Sequence, residues 1–216
     1  MKIAIPIFPG FTALDVVGPY EVLSRLPEAE VTFVARTPAP VGNDAGSLGL
    51  VADASFAQVG ACDVLLVPGG RGTRALLDDV ELLAWLRAAH DSAQWTASVC
   101  TGSLLLAAAG LLAGVEATTH WLELETLARY GAKPVSKRVV RAGRILTGAG
   151  VSAGIDLALT LAAELAGTQV AQAIQLSIEY DPQPPFDAGS PAKAPVEVVE
   201  LCRAAAAARQ AGGRTD

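Results

Sequence analysis

Four consecutive apolar, branched residues, Val64-Leu65-Leu66-Val67, run without interruption into Pro68-Gly69-Gly70. A strand with no polar alternation has no face to show to water, so it must be covered on both sides. Lys2–Ile7 and Trp95–Val99 are further strand-like stretches, and longer helical periodicities separate the runs: Ala13–Leu26, Val80–Ala89, Trp121–Tyr130, Val151–Leu165 and Thr168–Glu179. This alternation predicts an α/β fold, a mostly parallel sheet with helices on both faces. Gly18-Pro19 should kink or restart the first helix, because proline lacks the N–H that continues it. Glu30–Arg36 is a second strand and Thr37–Leu48 a loop; a short strand is expected at Ala117–His120, and a hairpin around Ala142-Gly143. Asp181–Pro195 holds five prolines and reads as an extended arm before a helix near Val196–Arg209. The tail Gly212–Asp216 is expected to fray. The whole length, 216 residues, fits a single domain.

Composition narrows the function classes. Half of the chain is hydrophobic (51%) and only 18% is charged, which excludes disorder for most of it. The net charge of −6 and pI near 4.9 repel phosphate backbones and anionic lipid, and neither a basic patch nor a helix-turn-helix pattern is present, so no nucleic-acid partner is expected. Trp95–Val115 carries no charge and is long enough to span a bilayer. Its Gly102, Gly110 and Gly114 and its change from strand-like to helix-like residues predict a buried strand, turn and helix instead, hence no membrane partner. The N-terminal stretch from Met1 shows no cleavage site. With Cys62, Cys100 and Cys202 in neither metal nor redox spacing, free thiols in a reducing cytoplasm are expected, without metal or other cofactor.

The chemistry concentrates at Ser98-Val99-Cys100-Thr101-Gly102-Ser103. A strand stops, one residue occupies the turn, and a helix begins, which is the logic of a nucleophile elbow with cysteine as nucleophile. The helix N-terminus should lower the thiol pKa, and the Thr101 N–H points where an anion would develop. A buried, space-filling cysteine is the plain alternative. Pro68-Gly69-Gly70 ends the neighbouring strand, and ligands of open α/β sheets sit at the carboxyl ends of strands, so the Gly69 and Gly70 N–H groups are expected to cradle an anion there. Gly70-Arg71-Gly72-Thr73-Arg74-Ala75 matches the dinucleotide fingerprint formally, but lies mid-chain and lacks the acidic partner. Asp15 is either a commonplace first-turn carboxylate or, given apolar neighbours on both sides, an inward-facing acid that keeps its proton. His120 could reach the same edge or serve structurally; His90 is expected to be solvated, and Cys62 and Cys202 inert.

These residues resemble the ThiJ/PfpI superfamily, and within it the isocyanide hydratases. The superfamily's glycine turn and elbow correspond to Pro68-Gly69-Gly70 and Ser98-Val99-Cys100-Thr101-Gly102. The narrower likeness rests on Leu14-Asp15-Val16-Val17-Gly18-Pro19, Cys100-Thr101-Gly102-Ser103-Leu104, Ala117-Thr118-Thr119-His120-Trp121, Gly150-Val151-Ser152-Ala153-Gly154-Ile155-Asp156 and the proline arm. The resemblance implies a flavodoxin-like three-layer sandwich and a homodimer. It further implies hydration of a small isocyanide to an N-formamide through a covalent thioimidate, with Cys100 as nucleophile and Asp15 as its proton partner. Gly70 and Thr101 would flank the thiol, and Val151 would pack beside it. Peptidase-like members carry histidine directly after the cysteine, where this chain has Thr101. Within the superfamily a glyoxalase or deglycase activity on α-dicarbonyls is the enzymatic alternative, and a cysteine oxidation sensor the non-enzymatic one.

Overall fold

The computed structural model describes residues 1–212, so the fraying expected at the last residues lies outside the described region, as do their contacts. Two compact units divide the chain, Met1–Glu179 and Tyr180–Asp216. The first opens with β1 (Lys2–Pro6), α1 (Ala13–Leu23), β2 (Glu30–Ala35), β3 (Pro40–Gly42), β4 (Gly49–Val51) and β5 (Ala54–Ser55). It continues through β6 (Val64–Val67), a 3₁₀ turn at Arg71–Leu76, α2 (Val80–Ser92), β7 (Trp95–Val99) and α3 (Gly102–Ala108). After β8 (Glu116–Ala117) come a 3₁₀ turn at Trp121–Glu123, α4 (Leu124–Arg129), β9 (Lys133–Pro134), β10 (Val139–Ala142) and β11 (Ile145–Gly148). Helices α5 (Ala153–Ala166) and α6 (Thr168–Ser177) close this unit. The second contains the irregular proline-rich segment and α7 (Val196–Gly212).

Seven strands form one sheet in the order β10-β11-β7-β6-β1-β2-β5, parallel except for the β10–β11 hairpin. The apolar run of β6 lies at its centre beside β7, and every residue of both strands is buried, Thr96 and Ser98 included. Chain order reverses beside β1, because β2 lies on one side and β6 on the other. That reversal opens a crevice past the carboxyl ends of β1, β6 and β7, the usual place for a ligand in an open α/β sheet. The three segments that leave those ends are α1 with Asp15, the Pro68-Gly69-Gly70 turn and the Cys100 elbow.

Local chemistry was overridden in two places. Of the kink or restart expected at Gly18-Pro19, the restart does not occur, since α1 runs as one helix through Pro19. The missing hydrogen bond is offset by packing against α5: a side chain at Gly154 would meet the Pro19 ring at 3.1 Å, and one at Gly18 would meet Ile155 at 3.2 Å. The two small residues let the helices cross closely. The stretch read as loop, Thr37–Leu48, instead contains β3 and leads to β4, with which it pairs antiparallel, and Phe11 bridges to Asn43 below it. Short three-residue strands with few branched residues give a weak period-2 signal, which is why the sequence conceals them.

The approach of α3 to β6 is closer still, since a Cβ on Gly102 would lie 2.1 Å from the Val67 carbonyl oxygen. Gly102→Ala is therefore expected to destabilise the chain by at least the roughly 1–3 kcal/mol of an overpacked core, read as a lowered thermal midpoint. Alanine at Gly110, where nothing lies within 4 Å, would be strained only by its positive φ and serves as the milder comparison.

Candidate active site

Cys100 sits at the end of β7 with φ +55°, a left-handed conformation that a non-glycine residue adopts at a cost on the order of 1–3 kcal/mol. The surroundings fix it from both sides. Its N–H donates to the carbonyls of Gly148 and Ala149 at 3.1 and 3.0 Å, and its carbonyl accepts from the Thr119 and Ser103 hydroxyls at 2.9 and 3.1 Å. The chain cannot relax without breaking four hydrogen bonds. This turn brings the sulfur back over the crevice, where the Val151 and Thr101 N–H groups donate to it. Val151 is itself held at positive φ, +33°, just past β11.

Asp15 belongs to the first turn of α1 and is fully buried. Its Oδ2 accepts from the Gly69 N–H at 3.0 Å. Oδ1 has no conventional hydrogen-bond partner among the described residues, and the carboxyl interacts with the Cys100 thiol. Burial, opposed by the Gly69 and Cys100 hydrogen bonds, raises its pKa from 3.8 to about 7, and the charge of Asp44 adds to the rise. Burial outweighs the helix N-terminus here, so Asp15 is an inward-facing acid although it lies in the first turn of α1.

The sulfur departs from expectation. Burial pushes the Cys100 thiol well above its ordinary range, the negative charge of Asp15 pushes it further, and the two backbone N–H groups only moderate the rise. A helix of seven residues starting at Gly102 does not offset that desolvation. The carboxyl therefore ionises first, and the pair keeps a shared proton over a wide range above pH 7. Cys100 as a residue is 5% exposed.

The glycine turn also works differently from the anticipated cradle. The Gly69 N–H is engaged by Asp15, and the Gly70 N–H donates to the Thr101 hydroxyl at 2.9 Å. Neither faces an open position, so these two residues hold the acid and the elbow. Their small size is the requirement: a Cβ on Gly69 would lie 2.5 Å from the Thr101 nitrogen, and one on Gly70, at φ +142°, 2.4 Å from the Gly10 carbonyl oxygen. The Thr101 hydroxyl also meets the Thr73 hydroxyl at 2.9 Å. Thr73 and Thr119 carry no local signal of this role, because each is recognised only by the distant backbone or hydroxyl it meets.

His120 packs edge-on against Gly150, where a Cβ would lie 2.7 Å from the ring, and its Nδ1 accepts from the Leu122 N–H at 3.4 Å. Burial lowers its pKa, so the ring is neutral at pH 7. It thus caps the Trp121–Glu123 turn and packs on Gly150, the residue before Val151. His90 is not simply solvated: its ring nitrogens meet the Thr96 hydroxyl and the Arg144 guanidinium at 2.8 and 3.0 Å, beside the amino end of β7. Cys62 is buried with its pKa raised to about 11, which leaves it a thiol. Among the described residues no group of three His, Cys, Asp or Glu side chains could hold a metal, and no helix is long and apolar enough to cross a membrane.

A parallel sheet that turns back at β1 and presents a strained cysteine beside a buried carboxyl defines the cysteine-elbow α/β class, and residues 1–164 match the DJ-1/PfpI family. The chain belongs to that family. It is 47% identical over 207 residues to the isonitrile hydratase of Pseudomonas putida, covering 96% of this chain and 90% of that protein. The crystal structure of a ThiJ/PfpI family protein from Pseudomonas syringae superposes with a TM-score of 0.90 at 44% identity, over 93% of this chain and 84% of the other. Drosophila melanogaster DJ-1beta shares the fold at a TM-score of 0.76 and 24% identity, over 84% and 98%.

The perturbed carboxyl makes a sign-specific prediction. In the unfolded chain Asp15 loses its proton near pH 3.8, whereas the folded chain keeps it to about 7, so stability falls as pH rises between those values and stays reduced above them. Asp15→Asn removes the penalty. Its thermal midpoint is expected above that of the wild type at pH 8, by the equivalent of a few kcal/mol, at about 1.4 kcal/mol per pH unit of displacement. At pH 4 the advantage should vanish.

Proposed function

We propose that this chain is a cofactor-independent isonitrile hydratase, converting R–N≡C and water to the N-substituted formamide. The observation that carries the reading is the Asp15 carboxyl facing the Cys100 thiol with one oxygen unpartnered, in a site where Thr101 stands directly after the cysteine. The likeness to the Pseudomonas putida isonitrile hydratase over nearly the full length supports it.

The terminal carbon of an isocyanide bears no leaving group, so hydration needs a soft nucleophile and a proton delivered to that same carbon. The Cys100–Asp15 pair holds both. As Sγ bonds to the carbon, the thiol proton passes to Asp15, and the carboxyl delivers it to the carbon. The product is a thioimidate, R–N=CH–S–Cys100. Asp15, again a carboxylate once it has given up the proton, then draws a proton from water as the oxygen adds to the same carbon. That proton reaches nitrogen, and as the adduct R–NH–CH(OH)–S–Cys100 collapses, its hydroxyl proton passes through Asp15 to the departing Cys100 sulfur, which leaves R–NH–CHO and restores the thiol and the carboxylate. The N–H groups of Thr101 and Val151, which already face the sulfur, favour its anionic form at both attack and departure. No metal or redox partner is needed for the atoms to balance.

A second copy of the chain completes the proposal. No residue of α7 from Val196 to Arg209 is buried, and Val196 and Leu201 are 75% and 69% exposed, an apolar load that a homodimer would cover. Three free cysteines suit a reducing cytoplasm.

Incubation with p-nitrophenyl isocyanide is expected to yield the formamide, and Cys100→Ala to abolish turnover. Asp15→Asn should lower kcat by about 10²–10⁴-fold. Because the pair reacts in its singly protonated form, kcat/KM should rise as pH passes about 7 and then level off. Absence of formamide with the wild type, or full activity in Asp15→Asn, would overturn the assignment. Sedimentation showing a monomer at micromolar concentration would remove the dimer.

A further inference from the structure

Two 3₁₀ turns, Arg71–Leu76 and Trp121–Glu123, each reach the elbow through a hydroxyl. Thr73, on the first, is fully buried with its Oγ1 at 2.9 Å from that of Thr101. Thr119, just ahead of the second, donates to the Cys100 carbonyl at 2.9 Å. Arg74, next to Thr73, forms an ion pair with Glu123 of the other turn. The arginine is half-exposed but the glutamate side chain is only 8% exposed, so its charge is removed from water and depends on this partner. Short 3₁₀ turns have poor internal hydrogen bonds and take their position from tertiary contacts. The contacts close a ring: Cys100, Thr101, Thr73, Arg74, Glu123, then back through the His120–Thr119 segment to Cys100.

We infer that the Arg74–Glu123 pair is a strap that holds the Cys100 elbow in its reactive geometry, which makes both of them positioning residues for the hydration proposed above. A strained φ persists only where its surroundings over-determine it, and the strap fixes the two hydroxyl tethers at once. It contacts neither the thiol nor the carboxyl, so its loss acts on placement and not on the supply of protons.

Arg74→Ala and Glu123→Gln are each expected to lower kcat on p-nitrophenyl isocyanide about tenfold, with KM changed less than twofold and the acid limb of the pH profile unmoved. Arg74→Lys, which keeps the charge, should recover most of the rate. The double variant should lose no more than either single one, because both break one strap. An unchanged kcat in a folded Arg74→Ala, or losses that multiply in the double variant, would overturn the inference. Alkylation of Cys100 by iodoacetamide supplies a readout without isocyanide. Slower alkylation in Arg74→Ala and Glu123→Gln, alongside a wild type that makes no formamide, would retain the strap and sink the reaction. Turnover in the wild type with identical alkylation and kcat in all variants would do the reverse.

Discussion

A buried carboxyl and a buried thiol meet at the open end of the sheet, where burial disfavours the charged form of each. In such surroundings the second ionisation is far costlier than the first, so the pair behaves as a single acid with a mobile proton. Much of the local architecture serves that arrangement. The elbow strains Cys100 to aim its sulfur, α1 turns Asp15 inward, and the Gly69 N–H fixes one carboxyl oxygen while leaving the other without a partner. A site with these properties can give a proton and take it back at nearly the same place, which addition of water across a carbon–nitrogen multiple bond demands.

The reactivity of the sulfur consequently comes from its neighbour more than from the helix behind it. Helix α3 is short, and burial dominates its field, so a free thiolate at rest is not the ground state. In the proposed reaction, attack and proton transfer are coupled through Asp15. The glycines contribute by their size: Gly69, Gly70 and Gly102 let three chain segments approach within distances that any side chain would block. The Gly69 and Gly70 N–H groups are engaged in holding the acid and Thr101, which leaves the Thr101 and Val151 N–H groups beside the sulfur.

Much of this was legible without coordinates, for identifiable reasons. β6 has no polar alternation, so its central place in a parallel sheet follows from solvation alone, and β7 opens a run without any charged residue. The elbow is written within six consecutive residues, and Asp15 is flagged by the apolar residues around it. What stayed hidden depends on contacts between distant segments. The continuous α1 depends on α5 filling the space over Pro19, and the β3–β4 pair on strands too short to show a period. Thr73 and Thr119 are ordinary hydroxyls until the fold sets them against the elbow.

By itself the order of residues determined the layers, the elbow and the two groups proposed to react, because each is encoded in a continuous run whose periodicity or turn chemistry is local. The tertiary structure decided how those groups ionise, what the glycine turn binds and where His120 is spent. Protonation is set by how much water and which charges surround a group, and here those surroundings come from α1, β6, β7 and the loop after β11, segments separated along the chain by dozens of residues and joined only when the sheet closes.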